Sequence, residues 1–540
     1  MVWDNSWIEN RVSGEFKLPN FTLENTGLLK SGQKMPVSTA TKNKPVKYYI
    51  VSPDEDETLE NITRTISLMR YSYTVIKSLD ELPEIPPEAL IGVLINDGNL
   101  DNIGNIDRLF EYMKAKKDTV FLKLFDTSSE IFYDYHKRLG IESYGGSYPQ
   151  RGVDFLEKVL LSGLYFKAEI NCKANEIKIS GKSRFYAVGY DPQYPKFHDR
   201  NPLIWRTFYE GGAIYCFNND LLKDFKNCGI LTGILSTDKE VYVYPVVNAG
   251  IQLINAMPYY TDENSDKLTL TYNRDALLFQ RDIIWSDLVS IVRGLGTKYT
   301  FYPYAGTNQD RMENELLEYY GKQLRLMEGE WGFYESGRLA KMFPKYSASS
   351  EYKYEGFGTN NRIMDAANAF GYIGGNKVAL PVTMHGALQD KGTIFQAYSL
   401  ASSFGYVSHM LDLQEVFSDT SGEDIWTDYK LDYVQGFYPV TKLYEFYDFV
   451  TASQAAIKMS VFLNSNPDIR YEKAITDTGT EIITSITFGA QNIGETSYIL
   501  KCKADVVSSS NCKYTRISQG VYLVVVEDGK EGRLTTKEMR

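Results

Sequence analysis

The chain lacks any apolar run of about 18 residues, and its first 20 residues carry no hydrophobic stretch of the secretory-leader kind. Read literally, those two absences predict a cytoplasmic protein without a membrane-spanning helix. The five cysteines, at 172, 216, 228, 502 and 512, contain no C-x2-C or other zinc-type spacing. There is no Lys/Arg cluster, and the formal charge is −11, which argues against nucleic acid as a partner. No Gly-x-Gly-x-x-Gly loop is available for a dinucleotide. No Gly-x-Cys-x-Gly lies near residues 119 to 135, where Leu124-Phe125-Asp126-Thr127 stands, so the strained turn of a cysteine nucleophile is missing.

What is present is an ordered composition, with 43% hydrophobic and 24% charged residues over a length suited to about three domains. The acidic balance suits a cationic partner such as a partly de-N-acetylated polysaccharide, or is simply a solvated surface. Aromatics are abundant, with 41 Tyr, 27 Phe and 6 Trp. Tyrosine rings stack on sugars while their hydroxyls hydrogen-bond, although most will serve strands and cores. Cys502 and Cys512 either face each other across a hairpin or are buried free thiols.

Residues 1–45 are polar and aperiodic, an arm or linker. Residues 46–248 alternate strands (Val46–Ser52, Tyr73–Lys77, Leu90–Ile95, Thr119–Phe125) with helices (Glu57–Met69, Ile106–Ala115, Ser128–Leu139). That rhythm predicts an open parallel sheet with helices on both faces. The run Pro202–Asn218, with Gly211-Gly212 before an apolar strand, resembles the closing strands of glutamine-amidotransferase-like, flavodoxin-type domains.

Residues 249–468 open on the apolar run Gly250–Ile254, followed by Asn255-Ala256-Met257-Pro258. A helix around Trp285 (Asp282–Val292), the strand Lys298–Tyr304, a helix Glu313–Arg325 and Glu328-Gly329-Glu330-Trp331-Gly332-Phe333-Tyr334 follow. This order resembles the NodB-like polysaccharide deacetylases, and within them a deacetylase-like bacterial family of unknown function found beside Pel exopolysaccharide loci. The resemblance implies a (β/α) barrel and a carbohydrate substrate. In that family the first strand ends in Asp-Asp-Phe-Pro, and the later turn runs into His-Gly-Tyr-x-His. One Asp acts as base, and the other Asp with two His holds a divalent metal. Here the aspartates read Asn255 and Ala256, and the histidines fall at Tyr334 and Arg338. An amide is a poor base and a methyl cannot ligate, so no metal, no cofactor and no confident catalytic residue are expected.

Further along, Phe357–Asn361 with the helix Arg362–Phe370 resembles the family's Arg-Pro-Pro loop region, and Ala379–Thr383 reads as a strand. Phe404–Asp412 contains Ser408-His409, similar to the family's Ser-His motif, which makes His409 a weak candidate for its acid; His385 is a second. Asp275, after the strand-like run Leu268–Tyr272, and Asp282, which also reads as a helix start, are competitors for the lost base. Residues 469–540 are predicted to form a β-sandwich module.

The expectation is a catalytically degenerate deacetylase-like protein that binds or positions an amino-sugar exopolysaccharide. Its cleft would use Asn255, Tyr302, Trp331, Tyr334, Glu335 and His409, with Trp331 and Tyr334 stacking on sugar rings. The alternatives are an active metal-independent hydrolase or deacetylase, pairing Glu330 or Glu335 with His409, and a structural subunit of an exopolysaccharide assembly. The resemblance also implies a place outside the cytoplasm, exported or membrane-tethered, beside exopolysaccharide synthase components.

Overall fold

The protein is described from a computed structural model, in which residues 45–161, 165–190, 200–261, 263–304, 314–332, 370–374, 377–418, 425–475 and 481–539 are described. It is a mixed α/β chain with several sheets.

The first sheet has nine strands. Tyr73–Ile76, Tyr48–Val51, Gly92–Ile95, Asp118–Phe121 and Gly212–Phe217 lie side by side and parallel. Pro202–Tyr209, Arg184–Gly189, Val153–Phe155 and Phe166–Ala168 continue the sheet antiparallel. Strand alternation sends Ile50, Leu94 and Val120 to one face, where helix Glu57–Leu68 packs Leu59, Ile62 and Ile66 on them. Val51, Val93, Ile95 and Phe121 point to the other face, against Ile106, Leu109, Phe110 and Met113 of helix Ile106–Lys114. Asp56 and Asn105 cap these helices through the Leu59 and Asp107 amides, at 2.8 and 3.0 Å. An unforeseen two-stranded ribbon, Ile141–Gln150 with Cys172–Ile179, stands beside this sheet.

The second sheet is parallel, in the order Glu330–Trp331, Tyr299–Tyr304, Ala249–Tyr259, Tyr406–Asp412, Met384–His385. Its alternating side chains again divide. Ile254, Phe301 and Leu411 join the cluster of Trp285 and Phe437, whereas Ile251, Leu253 and Tyr302 join that of Ala455, Met459 and Phe462. Helices Trp285–Leu295 and Ile425–Leu443 therefore cover one face, and Ala452–Asn464 the other. Among the described residues this sheet is open and five-stranded; the closed barrel of the sequence reading is not among them.

The two units are joined through their cores. One apolar cluster runs from Ile50 and Val120 through Ile230 and Ile234 of helix Cys228–Ser236 to Trp285 and Phe437. At the joint Gly229 lies so close to helix Lys391–Phe404 that a Cβ there would meet the Ser399 carbonyl oxygen at 2.5 Å. The Gly229 amide instead donates to Ser399 Oγ at 2.8 Å.

Two four-stranded antiparallel sheets close the chain. Val243, Tyr498, Leu500 and Val524 from one share an apolar cluster with Ile486, Phe488 and Leu534 from the other. Strand Val241–Val246, which sequence rhythm places with the first unit, pairs along its whole length with Thr496–Cys502. The hairpin expectation for Cys502 and Cys512 is corrected. Strand Val521–Val526 separates their strands; Cys512 pairs with Val526, whereas the Cys502 amide bonds Gly520 at the far end. Both are buried free thiols.

Two smaller expectations also change. Leu268–Tyr272 belongs to helix Ser265–Tyr272, where Leu270 is exposed; its apolar alternation mimicked a strand. Ala379–Thr383 is an irregular extended segment before the short strand Met384–His385, with Thr383 bonded to Ser408.

Candidate site at the carboxyl ends of the second sheet

In an open parallel sheet, ligands bind outside the carboxyl ends of the strands where the connections reverse direction. From Ala249–Tyr259 the chain goes to Tyr299–Tyr304 on one side, while Tyr406–Asp412 lies on the other. The switch point therefore lies between Ala249–Tyr259 and Tyr406–Asp412. Asn255 and Asp412 are paired there, and the Leu413 amide donates to the Asn255 carbonyl at 3.1 Å. Immediately after Asn255 the backbone turns at Ala256, which takes φ +55°, a left-handed conformation costing a non-glycine residue about 1 kcal/mol.

Four further side chains surround this end. His385 closes its short strand and is half-buried, with Gly386 in the left-handed region at φ +77°. Gln389 Nε2 donates to the His385 and Gly386 carbonyls, at 2.8 Å each, which holds the loop in place. The Glu415 carboxylate lies over Gly386, 3.6 Å from where a Cβ would stand. Tyr429 Oη donates to the Asp412 carbonyl at 2.7 Å and reaches Glu415 Oε2 at 2.9 Å. Desolvation raises the Glu415 pKa; the Tyr429 hydrogen bond and the His385 imidazole pull it back, and Asp412 adds to the rise. Glu415 is nevertheless open to solvent on its outer side. The His385 ring nitrogens and Glu415 Oε1 have no hydrogen-bond partner among the described residues.

The residues expected from sequence fall in several places. Asn255 is at the site, buried to 5% exposure. His409 is one layer deeper, paired with Gln252 and 1% exposed. Its Nε2 meets the Gly386 carbonyl at 2.7 Å, and its ring stacks between Tyr433 and Phe437 at 5.2 and 5.0 Å. Burial pulls its pKa down to about 4, so at neutral pH it is an uncharged structural histidine and a poor proton donor.

Trp331 and Tyr302 are core residues. Trp331 packs edge-on to Phe301, and the Tyr302 ring lies over Gly332. Their expected cleft roles do not fit this burial, because neither face is open for a sugar to stack on. Tyr334, Glu335, Arg338 and Arg362 lie outside the described residues.

Glu330, half of the alternative acid–base pair, is occupied elsewhere. Its carboxylate accepts the Ser453 amide at 2.8 Å, Thr300 Oγ1 at 3.1 Å and Ser453 Oγ, sealing the start of helix Ala452–Asn464. Asp275 caps a short helix through the Leu278 amide. Asp282 is paired with Arg274 and Arg281, which hold its carboxyl below the usual range. Neither aspartate joins a histidine.

The metal implied by the deacetylase resemblance is not matched by these donors. Asn255 and Ala256 offer no carboxylate, His409 is enclosed, and among the described residues no three His, Cys, Asp or Glu groups are placed to hold one ion. Glu415, Asp412 and Tyr429 were missed in the sequence reading. Asp412 closes the quoted Ser-His strand, which was the only local signal; Glu415 and Tyr429 carry none.

Residues 157–334 match a family described as uncharacterised proteins conserved in bacteria (DUF2194). No curated protein matches the chain. Among solved structures the chain is similar to Agd3, described as a novel carbohydrate deacetylase, at 9% identity and a TM-score of 0.53, covering 91% of this chain and 98% of that one. A ThuA-like protein from Bacteroides uniformis is 11% identical, with a TM-score of 0.27 over 36% of this chain and 92% of its own. A β-galactosidase from a Rahnella species is 13% identical, with a TM-score of 0.25 over 37% of this chain and 34% of its own. The likeness to the deacetylase is one of fold. No helix among the described residues is long and apolar enough to cross a membrane.

Proposed function

We propose that this chain is a carbohydrate-binding protein on a deacetylase-like fold, which holds an amino-sugar polymer at the carboxyl ends of its second sheet without metal-dependent hydrolysis. The observation that carries this reading is the switch point itself. By the sequence resemblance Asn255 and Ala256 fall at the positions of the family's aspartates, and the reading is supported by the polar groups of His385, Asp412 and Glu415 gathered around that strand end. The same reading places the protein outside the cytoplasm, beside exopolysaccharide synthesis or export components of the Pel type.

The test is paired. Acetate release from N-acetylated amino-sugar oligomers with added zinc should not exceed the protein-free rate. Calorimetry with amino-sugar oligomers should show binding that is weakened by His385→Ala. Zinc-dependent acetate release would replace the reading with an enzyme, and absence of any amino-sugar affinity would leave the structural-subunit alternative. Fractionation of the native host would test the location.

A further inference from the structure

We propose that Asp412 and Glu415, with His385 and Tyr429, select the protonated amino group of a de-N-acetylated hexosamine over its N-acetylated form. The inference rests on the carbohydrate-binding reading above and names the ligand chemistry of the same site.

The Tyr429 hydroxyl has one proton, already directed at the Asp412 carbonyl and Glu415 Oε2. Asp412 Oδ1 accepts the Gln414 amide at 3.0 Å. What remains without a partner among the described residues is therefore mostly accepting: Glu415 Oε1 and the second Asp412 oxygen, beside a His385 ring that when neutral adds one acceptor nitrogen and one N–H donor.

No Lys or Arg pairs with either carboxylate among the described residues, although Asp287 nearby on the fold has Lys430 and Asp282 has two arginines. An acetamide brings one N–H donor and a carbonyl that needs a donor in return. An ammonium brings three donors and the missing positive charge. The Gln389 clamp keeps His385 in position before a ligand arrives, which lowers the ordering cost of binding. The chain's net charge of −11 would also attract a cationic polymer, so specific and general attraction have to be separated.

Pentamers of glucosamine and galactosamine, each as free amine and as N-acetyl form, are titrated into the whole protein by calorimetry at about pH 6.5, where a carboxylate and an ammonium are both charged. The amine form should bind about tenfold more tightly. Glu415→Gln should abolish that preference, and Glu84→Gln, which removes the same charge from an exposed position on the first unit, should keep it. Circular dichroism confirms that both variants are folded. Equal affinity for the two forms, tighter binding of the acetylated form, or a preference surviving in Glu415→Gln each overturns the inference while leaving the carbohydrate site standing. Failure of all four pentamers to bind overturns both.

Discussion

Asn255 and His409, which the deacetylase resemblance assigns to one site, lie on opposite faces of the second sheet. His409 is in register with Gln252, and Asn255 with Asp412. Neighbours in register point the same way and successive residues alternate, so an offset of three positions turns the two side chains apart. The His409 ring faces helix Ile425–Leu443, while Asn255 has the parity of Leu253, on the side of helix Ala452–Asn464.

That placement predicts how His409 responds to acid. Its folded pKa is about 4, against 6.5 when unfolded, so the unfolded chain binds the extra proton between those values. Its contribution to stability is whole above pH 6.5 and is lost as pH falls toward 4, on the order of 3 kcal/mol. Urea unfolding at several pH values should show wild type losing more stability in this window than His409→Gln. Parallel curves would show that His409 titrates normally and is not enclosed.

Glu330 should behave as a buried cap. Glu330→Ala strips the Ser453 amide and Thr300 hydroxyl of their acceptor and should cost about 2–4 kcal/mol, measured by denaturant unfolding. Glu330→Gln keeps one acceptor and should cost less. If both variants keep wild-type stability, the carboxylate is free for another role.

Gly229 should tolerate no side chain. Ala at this position would approach the Ser399 carbonyl oxygen to 2.5 Å in a joint where both helices are buried. We expect Gly229→Ala to lose about 2–3 kcal/mol and Gly229→Val more, with the melting temperature as the measurement. The loss should affect the first and second units together, since one apolar cluster spans them.

All five cysteines should be silent in the native protein. Each is a buried free thiol, and burial pushes the Cys502 thiol up to about 11 and raises that of Cys512. A thiol reagent should therefore react slowly under native conditions and count five groups after denaturation, without reductant. A count of three would restore the Cys502–Cys512 pairing.

Much of the architecture was legible because local rules and tertiary packing agreed. The strands around Ile50, Leu94 and Val120 are short β-branched runs, and Asp56 and Asn105 sit where helix caps are wanted. Where the two levels disagreed, the reading failed. Leu268, Leu270 and Tyr272 alternate like a strand, yet the segment is a helix. Val241–Val246 follows the first unit in the chain but finds its pairing partner more than two hundred residues later. Trp331 and Tyr302 have the right chemistry for a sugar platform, and only their burial shows that the core uses them.

From sequence alone came the α/β class, the deacetylase-like order of elements and the absence of carboxylates at Asn255 and Ala256, because periodicity and residue identity are local properties. Tertiary structure alone decided which side chains share a site. Strand register and parity separate His409 from Asn255, and a loop before the strand and a helix after it bring His385 and Tyr429 to Asp412 and Glu415. Register is set by the packing of both sheet faces at once, and no single segment of the chain carries that information.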